Sequence, residues 1–176
     1  MAIAKKKKRF FNVDMPLIRK TTQLQAFEIK ELGNRFIKYD LTRLLKGKSS
    51  LITLRTEVLD SDVVSTKPYE LRLLPCYLKR MVRRGTSYVE DSFVAEAKDG
   101  SIQIKPFLVT RRKVSRAVRK ALRNMANSEL TAVVKESSIE DIFSDVLRNK
   151  IQKDLAVKLK KIYPLALCEI RVLKTK

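Results

Sequence analysis

The stretch TRRKVSRAVRKALRNMAN, residues 110 to 127, decides how this chain can fold. Its apolar side chains recur at intervals of three and four residues, which is the period of an amphipathic helix. They are Val114, Ala117, Val118, Ala121, Leu122 and Met125. A row of cations occupies the opposite side of the predicted helix. It consists of Arg112, Lys113, Arg116, Arg119, Lys120 and Arg123. The stretch therefore predicts a helix with one face on a core and the other face cationic.

The charge on this second face has a single sign. No acidic residue lies between Asp99 and Glu129, whereas a helix built for its own stability would place Glu and Lys four residues apart. Arg111, Arg112 and Lys113 also lie in or just before the predicted first turn, where the helix dipole disfavours cations. The pattern favours an anion outside the chain, and a polyphosphate backbone fits it best. A solvated basic face is the alternative.

The whole chain is strongly basic. Its 176 residues include 39 Lys and Arg against 19 Asp and Glu, which gives a formal net charge of +20. This charge disfavours a compact monomer until a polyanion neutralises it. The hydrophobic content of 44% is sufficient for a core, so the chain is not simply a disordered basic tail. No apolar run approaches about 18 residues, so no membrane anchor is predicted. The N-terminal lysine run lacks the apolar segment of a signal peptide.

Residues that carry catalysis or bind metals are scarce. The chain has no histidine, and its two cysteines, Cys76 and Cys168, lie far apart. This composition excludes the usual zinc ligand sets and predicts a reducing compartment without disulfides. Both thiols are expected to be small buried hydrophobes. Glu90 and Asp91 are adjacent on a predicted strand, so their carboxylates would point to opposite faces and could not act as a pair. Glu140 and Asp141 lie in the first turn of a predicted helix, where acidic residues suit the helix dipole. We expect no enzyme, no catalytic residue, no metal, no cofactor and no small-molecule substrate.

The first half of the chain is predicted to form mainly antiparallel strands. Apolar and polar side chains alternate within residues 24–32 and 50–59. The clearest hairpin covers residues 88–109, because Asp99-Gly100 favours a two-residue type I′ turn. Pro106 cannot donate a hydrogen bond, so its strand is expected at a sheet edge or near its own end.

A short basic helix is predicted before this hairpin, over residues 75–84, PCYLKRMVRR. Pro75 suits its first turn, and Gly85 is placed to end it. Its cations are Lys79, Arg80, Arg83 and Arg84. Ser115 is predicted to cap the N-terminus of the long basic helix within residues 110–127.

The C-terminal part is predicted to add two helices and a strand. Ser138 caps a helix over residues 139–147. The next helix has its apolar face at residues 151–162 and stops before Pro164. Residues 165–173 alternate as a final strand.

These elements predict one α+β unit with a mainly antiparallel, barrel-like β-sheet, packed helices and a C-terminal helix-strand segment. Residues 1–20 would form a basic extended N-terminal arm and residues 21–110 a β-rich core. Residues 111–176 would form a helical segment with the final strand, in the same globular unit. The arm combines cations with an aromatic pair, Phe10-Phe11, and is expected to order on a partner, either by stacking on bases or by anchoring on a neighbouring protein.

Nucleic acid is the partner class that the basic clusters favour. Between Arg111 and Arg123 no Asn or Gln is available to read base edges, so backbone contacts are favoured over sequence readout. Three separate clusters suit a large folded RNA. A sequence-nonspecific DNA-binding protein of the nucleoid type is the alternative. The predicted phosphate contacts are Lys5, Lys6, Lys7, Lys8, Arg9, Lys79, Arg80, Arg83, Arg84, Arg111, Arg112, Lys113, Arg116, Arg119, Lys120 and Arg123.

Three parts of the sequence resemble one family, the archaeal and eukaryotic small-subunit ribosomal proteins called S-one-e or S-three-A-e. Residues 78–123, LKRMVRRGTSYVEDSFVAEAKDGSIQIKPFLVTRRKVSRAVRKALR, are similar to the family's basic helix, hairpin with a DG turn, K-P strand and arginine-rich helix. Residues 160–171, KKIYPLALCEIR, resemble its K-I-Y-P-L and V-E-I-R ending. A weaker likeness lies in KKKRFFNVDMP at 6–16 and YDLTR at 39–43.

The resemblance implies a structural protein of the small ribosomal subunit, located in the cytoplasm on the ribosome. It implies small-subunit ribosomal RNA and neighbouring small-subunit proteins as partners, a place on the platform near the RNA 3′ end and the messenger exit, and messenger RNA nearby. It implies no catalytic residues and no membrane. The chain stops just after the last predicted strand, without the long tail of eukaryotic members, so an archaeal member is expected.

Overall fold

The computed structural model describes residues 7–58 and 64–176. Within them the chain forms nine strands, four α-helices and one 3₁₀ helix. The strands are β1 Arg9–Met15, β2 Lys20–Ala26, β3 Phe36–Asp40, β4 Ser50–Val58, β5 Val64–Leu73, β6 Tyr88–Glu90, β7 Phe93–Ala97, β8 Gly100–Thr110 and β9 Leu165–Thr175. The α-helices are α1 Pro75–Met81, α2 Arg116–Glu136, α3 Ile139–Leu147 and α4 Lys150–Leu159, and the 3₁₀ helix is Ile29–Leu32. The predicted α+β class is confirmed.

All the described strands belong to one sheet. Its main path runs β2-β1-β5-β9-β8-β6, while β4 pairs with β5, β3 with β4, and β7 with β8. Among the described pairings only that of β1 with β5 is parallel, at Val13 and Val64. The sheet is mainly antiparallel, as predicted. It is open, because no pairing among the described strands closes it into a barrel.

Strands β8 and β9 are central because helices cover both of their faces. On one face, Ile104 and Leu108 of β8 pack with buried side chains of α2, α3 and α4. On the other face, Phe107 packs with Tyr77 of α1. A strand that is buried on both faces has apolar residues in succession. This double cover accounts for the unbroken apolar run Pro106–Val109.

The predicted hairpin over residues 88–109 is present, but its turn differs. Ala97 pairs with Gly100, so the loop residues are Lys98 and Asp99. A type I′ turn needs positive φ at both loop residues, and neither has it. The positive φ, 153°, falls on Gly100, which has no Cβ to clash. The predicted turn type is therefore wrong.

Of the two alternatives predicted for Pro106, the edge strand is wrong, because β8 has a neighbour on each side. Pro106 lies in the second half of β8, which ends at Thr110. The ladder is interrupted on both sides of this residue. The register with β9 shifts between Lys105 and Pro106. On the other side, β6 and β7 leave Asp91 and Ser92 unpaired with β8. A proline is tolerated inside a sheet at such irregular positions.

Both predicted helix caps are confirmed. The hydroxyl of Ser115 accepts a hydrogen bond from the Val118 N–H at the start of α2. The hydroxyl of Ser138 accepts one from the Asp141 N–H and donates to the Asp141 carboxylate at the start of α3.

The predicted helix ends are too late in two places. Helix α1 ends at Met81 because Val82, a β-branched residue, turns to extended backbone and packs on the Tyr77 cluster. Gly85 lies in the turn beyond it, with a φ of 83°. Helix α4 likewise ends at Leu159, ahead of Pro164.

The N-terminal segment is part of the sheet from Arg9 onward. Strand β1 pairs with β2 along its whole length, from Arg9 opposite Ala26 to Met15 opposite Lys20. The segment is extended, as expected of the arm, but its backbone is paired within the chain. Its order therefore requires no external partner.

The strand predicted over residues 24–32 is only partly correct. Strand β2 ends at Ala26, and a 3₁₀ turn follows at Ile29–Leu32. Leu32 is fully buried, and Ile29 packs against the same small cluster. Their spacing of three residues fits a helical turn, whereas the short alternation around them had indicated a strand.

A buried ion pair ties three distant parts of the chain together. Lys48 Nζ lies 2.6 Å from Glu169 Oε2 on β9 and 2.7 Å from Asn149 Oδ1 between α3 and α4. Only 13% and 11% of the Lys48 and Glu169 side chains are exposed. Asn149 has a φ of 58°, which an asparagine tolerates better than most residues. The pair therefore fixes the loop before β4 to the final strand and to the helical layer.

We predict that Lys48→Met destabilises the protein by about 3 kcal/mol, because it leaves the Glu169 carboxylate buried without its cation. The free energy of unfolding, measured by urea denaturation, tests this. Replacing both partners, Lys48→Met with Glu169→Leu, should recover much of the loss.

The control is Lys67→Met, which removes an ion pair with Glu57 whose side chains are 61% and 38% exposed. Exposed pairs contribute at most about 1 kcal/mol. Equal losses for Lys48→Met and Lys67→Met would contradict the structural role of the buried pair.

The prediction that both cysteines are buried is wrong for Cys76, which is exposed, and holds only in part for Cys168, which is partly buried. Cys76 is exposed because it follows Pro75 on the outer side of α1, while Tyr77 and Leu78 face the sheet. Cys168 packs against the main core. Burial, and to a smaller extent the Glu169 carboxylate, raise the pKa of its thiol to about 12.

We predict that an alkylating reagent at pH 8 modifies Cys76 rapidly and Cys168 only after unfolding, because the thiolate is the reactive form. Mass spectrometry of labelled peptides, with and without denaturant, measures both rates. Similar rates at the two sites in the native protein would refute this assignment.

Candidate nucleic-acid interface

A basic groove lies between the first turns of α2 and the outer strand β6. Its volume is about 580 Å³. Four cations line it together with an aromatic ring and an amide: Arg116, Arg119, Lys120, Arg123, Tyr88 and Asn124. All four cations are exposed. We call this surface the α2 groove.

Helix α2 presents these cations because its buried side chains form a single row with a spacing of four residues. The row consists of Leu122, Ala126, Leu130 and Val134. Val118 and Met125 pack beside it. Ala117 and Ala121, which the sequence analysis assigned to the apolar face, are exposed. The helix therefore meets the core along a narrower stripe than predicted.

A hydrogen-bond network anchors the basic segment between β8 and α2. The Thr110 hydroxyl is fully buried, accepts from the Ser87 N–H at 3.0 Å, and lies 2.6 Å from the Arg112 carbonyl oxygen, to which it can donate. The Ser87 hydroxyl accepts from the Val114 N–H at 3.3 Å. The side chains of Arg111, Arg112 and Lys113 are exposed. The network thus fixes the backbone of this segment while its cations face solvent.

Arg123 lies near a carboxylate. Its Nε lies 4.0 Å from Asp91 Oδ2, and the Asn127 amide donates to the same oxygen at 2.6 Å. That hydrogen bond is the main cause that lowers the pKa of Asp91, which therefore stays ionised. Within residues 7–58 and 64–176, Arg123 is the only predicted phosphate contact that forms an ion pair with another described residue.

The cations of the α1 region lie next to the α2 groove. Lys79, Arg80, Arg83 and Arg84 are all exposed on α1 and the turn after it. Lys79 lines a second cleft that shares Tyr88 with the α2 groove. Arg80 packs over the Tyr77 ring at 5.8 Å. The structure therefore brings two of the three predicted basic clusters to one edge of the sheet.

The N-terminal cluster does not join them. Strand β1 lies towards the opposite end of the strand order from β6. Lys7, Lys8 and Arg9 are exposed there, with Lys8 over the Phe27 ring at 5.6 Å. Lys5 and Lys6 lie outside the described residues. Of the aromatic pair, Phe10 is 63% exposed and Phe11 packs on the small cluster around Val13.

Tyr88, which lines the α2 groove, was not among the site residues predicted from the sequence. Val89, the next residue of β6, is apolar and is buried in the core. The alternation therefore already placed Tyr88 outward, between two basic segments. An outward aromatic in that position was the available signal.

Three of the four carboxylates considered as catalytic pairs have structural partners in the fold, namely Glu90, Asp91 and Asp141. Glu90 contacts Arg171 at 2.9 Å, while Asp91 contacts Asn127. Asp141 belongs to the cap of α3. In the part of the chain that the structure describes, no group of three His, Cys, Asp or Glu side chains is placed to hold a metal ion. No described helix combines the length and apolar character needed to cross a membrane.

Comparison with known proteins supplies the family. Residues 4–176 match the model of the ribosomal S3Ae family. The chain is 25% identical over 171 residues to the small ribosomal subunit protein eS1 of Nanoarchaeum equitans, covering 90% of this chain and 84% of that protein. It is 28% identical over 179 residues to the protein of the same name from Natronomonas pharaonis, covering 95% and 84%.

A third relative carries the same name in Methanothermobacter thermautotrophicus. It is 32% identical over 95 residues, covering 53% of this chain, and the match spans about half (49%) of that relative. These proteins confirm the resemblance stated from the sequence, including its archaeal character. Since the family model covers nearly the whole chain, the protein belongs to the ribosomal S3Ae family.

Proposed function

We propose that this protein is a structural constituent of the small ribosomal subunit and binds ribosomal RNA through phosphate contacts from the α2 groove. Neighbouring small-subunit proteins would be its other partners, on the cytoplasmic ribosome. Family membership supports the ribosomal role. The RNA-binding surface is our assignment from the geometry of the groove.

One observation carries this proposal: the cations of the α2 groove are exposed and largely without carboxylates. Arg116, Arg119 and Lys120 form no ion pair with a described residue. Elsewhere on the surface, cations such as Lys67 and Lys158 do have acidic partners. A row of cations without acidic partners suits an external polyanion, whose binding releases counterions.

The arrangement favours backbone contacts to a folded RNA. The α1 cations and the cations of segment 111–113 are also exposed and add to the basic surface near the groove. The place on the platform near the RNA 3′ end and the messenger exit, which the resemblance implies, belongs to the same proposal. The N-terminal cluster would then meet a different part of the RNA or a neighbouring protein.

We predict that the triple variant Arg116→Glu, Arg119→Glu and Lys120→Glu folds but does not enter the small subunit. The positive N-terminal end of the helix dipole stabilises acidic residues in the first turns of α2, so we expect the triple variant to fold. Arg123 is left unchanged because a glutamate there would face Asp91. Sedimentation of a tagged copy through a salt-washed gradient measures incorporation.

The matched control is Lys135→Glu, Lys153→Glu and Lys161→Glu, which changes three exposed lysines elsewhere and alters the net charge equally. The control should still sediment with the small subunit. If the groove variant incorporates as well as the control, the site assignment is wrong. If the wild-type chain instead follows DNA and not the subunit, the nucleoid alternative replaces the proposal.

A further inference from the structure

Tyr88 lies where two clefts meet. On one side is the α2 groove with its cations. On the other side is a cleft of about 400 Å³ between α1 and the strands β6, β8 and β9. Leu78, Val82 and Phe107 form its apolar wall. We call it the α1 cleft. A nucleic-acid strand whose phosphates lay on the α2 cations would therefore pass the Tyr88 ring before it reached the apolar α1 cleft.

The Tyr88 ring packs on a buried aromatic ring and is itself open to solvent. It stacks on Phe107 with ring centroids 6.2 Å apart and an interplanar angle of 25°. Phe107 is only 2% exposed, while Tyr88 is 54% exposed. The buried ring thus supports the exposed one. A supported aromatic surface next to cations is the arrangement with which proteins bind single-stranded nucleic acids.

The backbone beside this ring is also open. Among the described strands, β6 pairs only with β8. The Thr110 N–H donates to the Ser87 carbonyl at 2.8 Å, so the hydrogen-bonding groups of Ser87 point towards β8. In an antiparallel ladder the next residue points the other way. The N–H and C=O of Tyr88 therefore face the open edge and offer a donor and an acceptor.

We propose that Tyr88 stacks on the base of one unpaired RNA nucleotide, while neighbouring phosphates lie on Arg116, Arg119 and Lys120. The base enters the α1 cleft, whose volume is within the range of about 300–1,000 Å³ that small ligands occupy. The bases of a duplex cannot enter the α1 cleft in this way, because they stay stacked on one another. This inference rests on the proposed function and specifies it: the interface takes a bulged or single-stranded nucleotide.

The α1 cleft also has polar groups that can contact the edge of such a base. Arg171 Nη1 lies 2.9 Å from Glu90 Oε2, and both side chains are about two-fifths exposed, at 43% and 39%. Lys79 lies at the same cleft. The carboxylate can accept from an exocyclic amine, and the two cations can donate to ring nitrogens or carbonyl oxygens. The cleft therefore combines an apolar wall for the base with polar groups for its edge.

The first test uses Tyr88→Trp as a reporter, because the chain has no tryptophan of its own. The probes are an RNA hairpin with one bulged nucleotide and the same hairpin fully paired. Stacking should quench the indole emission with the bulged RNA and leave it nearly unchanged with the paired RNA. Phe36→Trp, at an equally exposed aromatic (54%) on the distant strand β3, is the control and should respond to neither. Equal responses of residue 88 to both RNAs would overturn the inference.

The second test measures affinity for the same two RNAs. Tyr88→Ala should weaken binding of the bulged RNA roughly tenfold or more, since stacking on an aromatic accounts for about that much per base. It should leave the paired RNA and the salt dependence of binding unchanged. Tyr88→Phe keeps the ring and should bind like the wild type, and so should Phe36→Ala. The inference fails if Tyr88→Ala binds both RNAs like the wild type, or if its affinity for both RNAs falls equally.

Failure of this inference can be told apart from failure of the proposed function. The triple variant Arg116→Glu, Arg119→Glu and Lys120→Glu is the comparison. If its affinity for both RNAs falls while that of Tyr88→Ala does not change, the groove binds RNA but Tyr88 is not a stacking platform. If the groove variant binds both RNAs as tightly as the wild type, the proposed function fails at this site. A bulge preference that needs both the cations and the ring would support both proposals.

Discussion

The antiparallel pairing of β8 with β9 is the interaction on which the rest of the structure depends. It joins Gly100–Thr110 to Leu165–Thr175 across the helical segment between them. Because α1 covers one face of this pair and α2, α3 and α4 cover the other, both faces bury apolar side chains. Burial of apolar surface is the dominant favourable term in folding. Without this pairing neither helical layer would have a surface to pack on.

The same constraint determines where the charges lie. Helix α1 precedes β6, α2 follows β8, and each packs on its own face of the sheet. At the β6 edge the two faces meet, so the cations of α1 and of the first turns of α2 become neighbours. Helices on opposite faces could not share a basic surface over the middle of the sheet. Tyr88 belongs to that edge strand, which explains why an exposed ring separates the two clefts.

Local patterns in the sequence predicted the elements well and their boundaries less well. The caps at Ser115 and Ser138, the final strand and the basic face of α2 all follow from side chains close in sequence. The central position of β8 did not, because Pro106 argues for an edge unless the bulge and the gap in the neighbouring strand are known. The Lys48–Glu169 pair joins residues 121 positions apart, and no local pattern indicates it. The groove cations were predicted from their period, whereas Tyr88 was overlooked although the alternation of its strand already indicated an outward ring.

The ion pairs among the described residues are unevenly distributed over the surface. The chain has acidic side chains available, and it places them beside cations on other surfaces, as in Lys67 with Glu57 and Lys150 with Asp145. Such pairs moderate the repulsion that a net charge of +20 creates. Among the described residues, Arg123 is the one groove cation that lies beside a carboxylate, and Asn127 holds that carboxylate by a hydrogen bond. A fold selected for its own stability alone would distribute acids over this face too. Their absence leaves a repulsion that the described chain does not relieve, and a bound phosphate backbone would relieve it at the place where the cations converge.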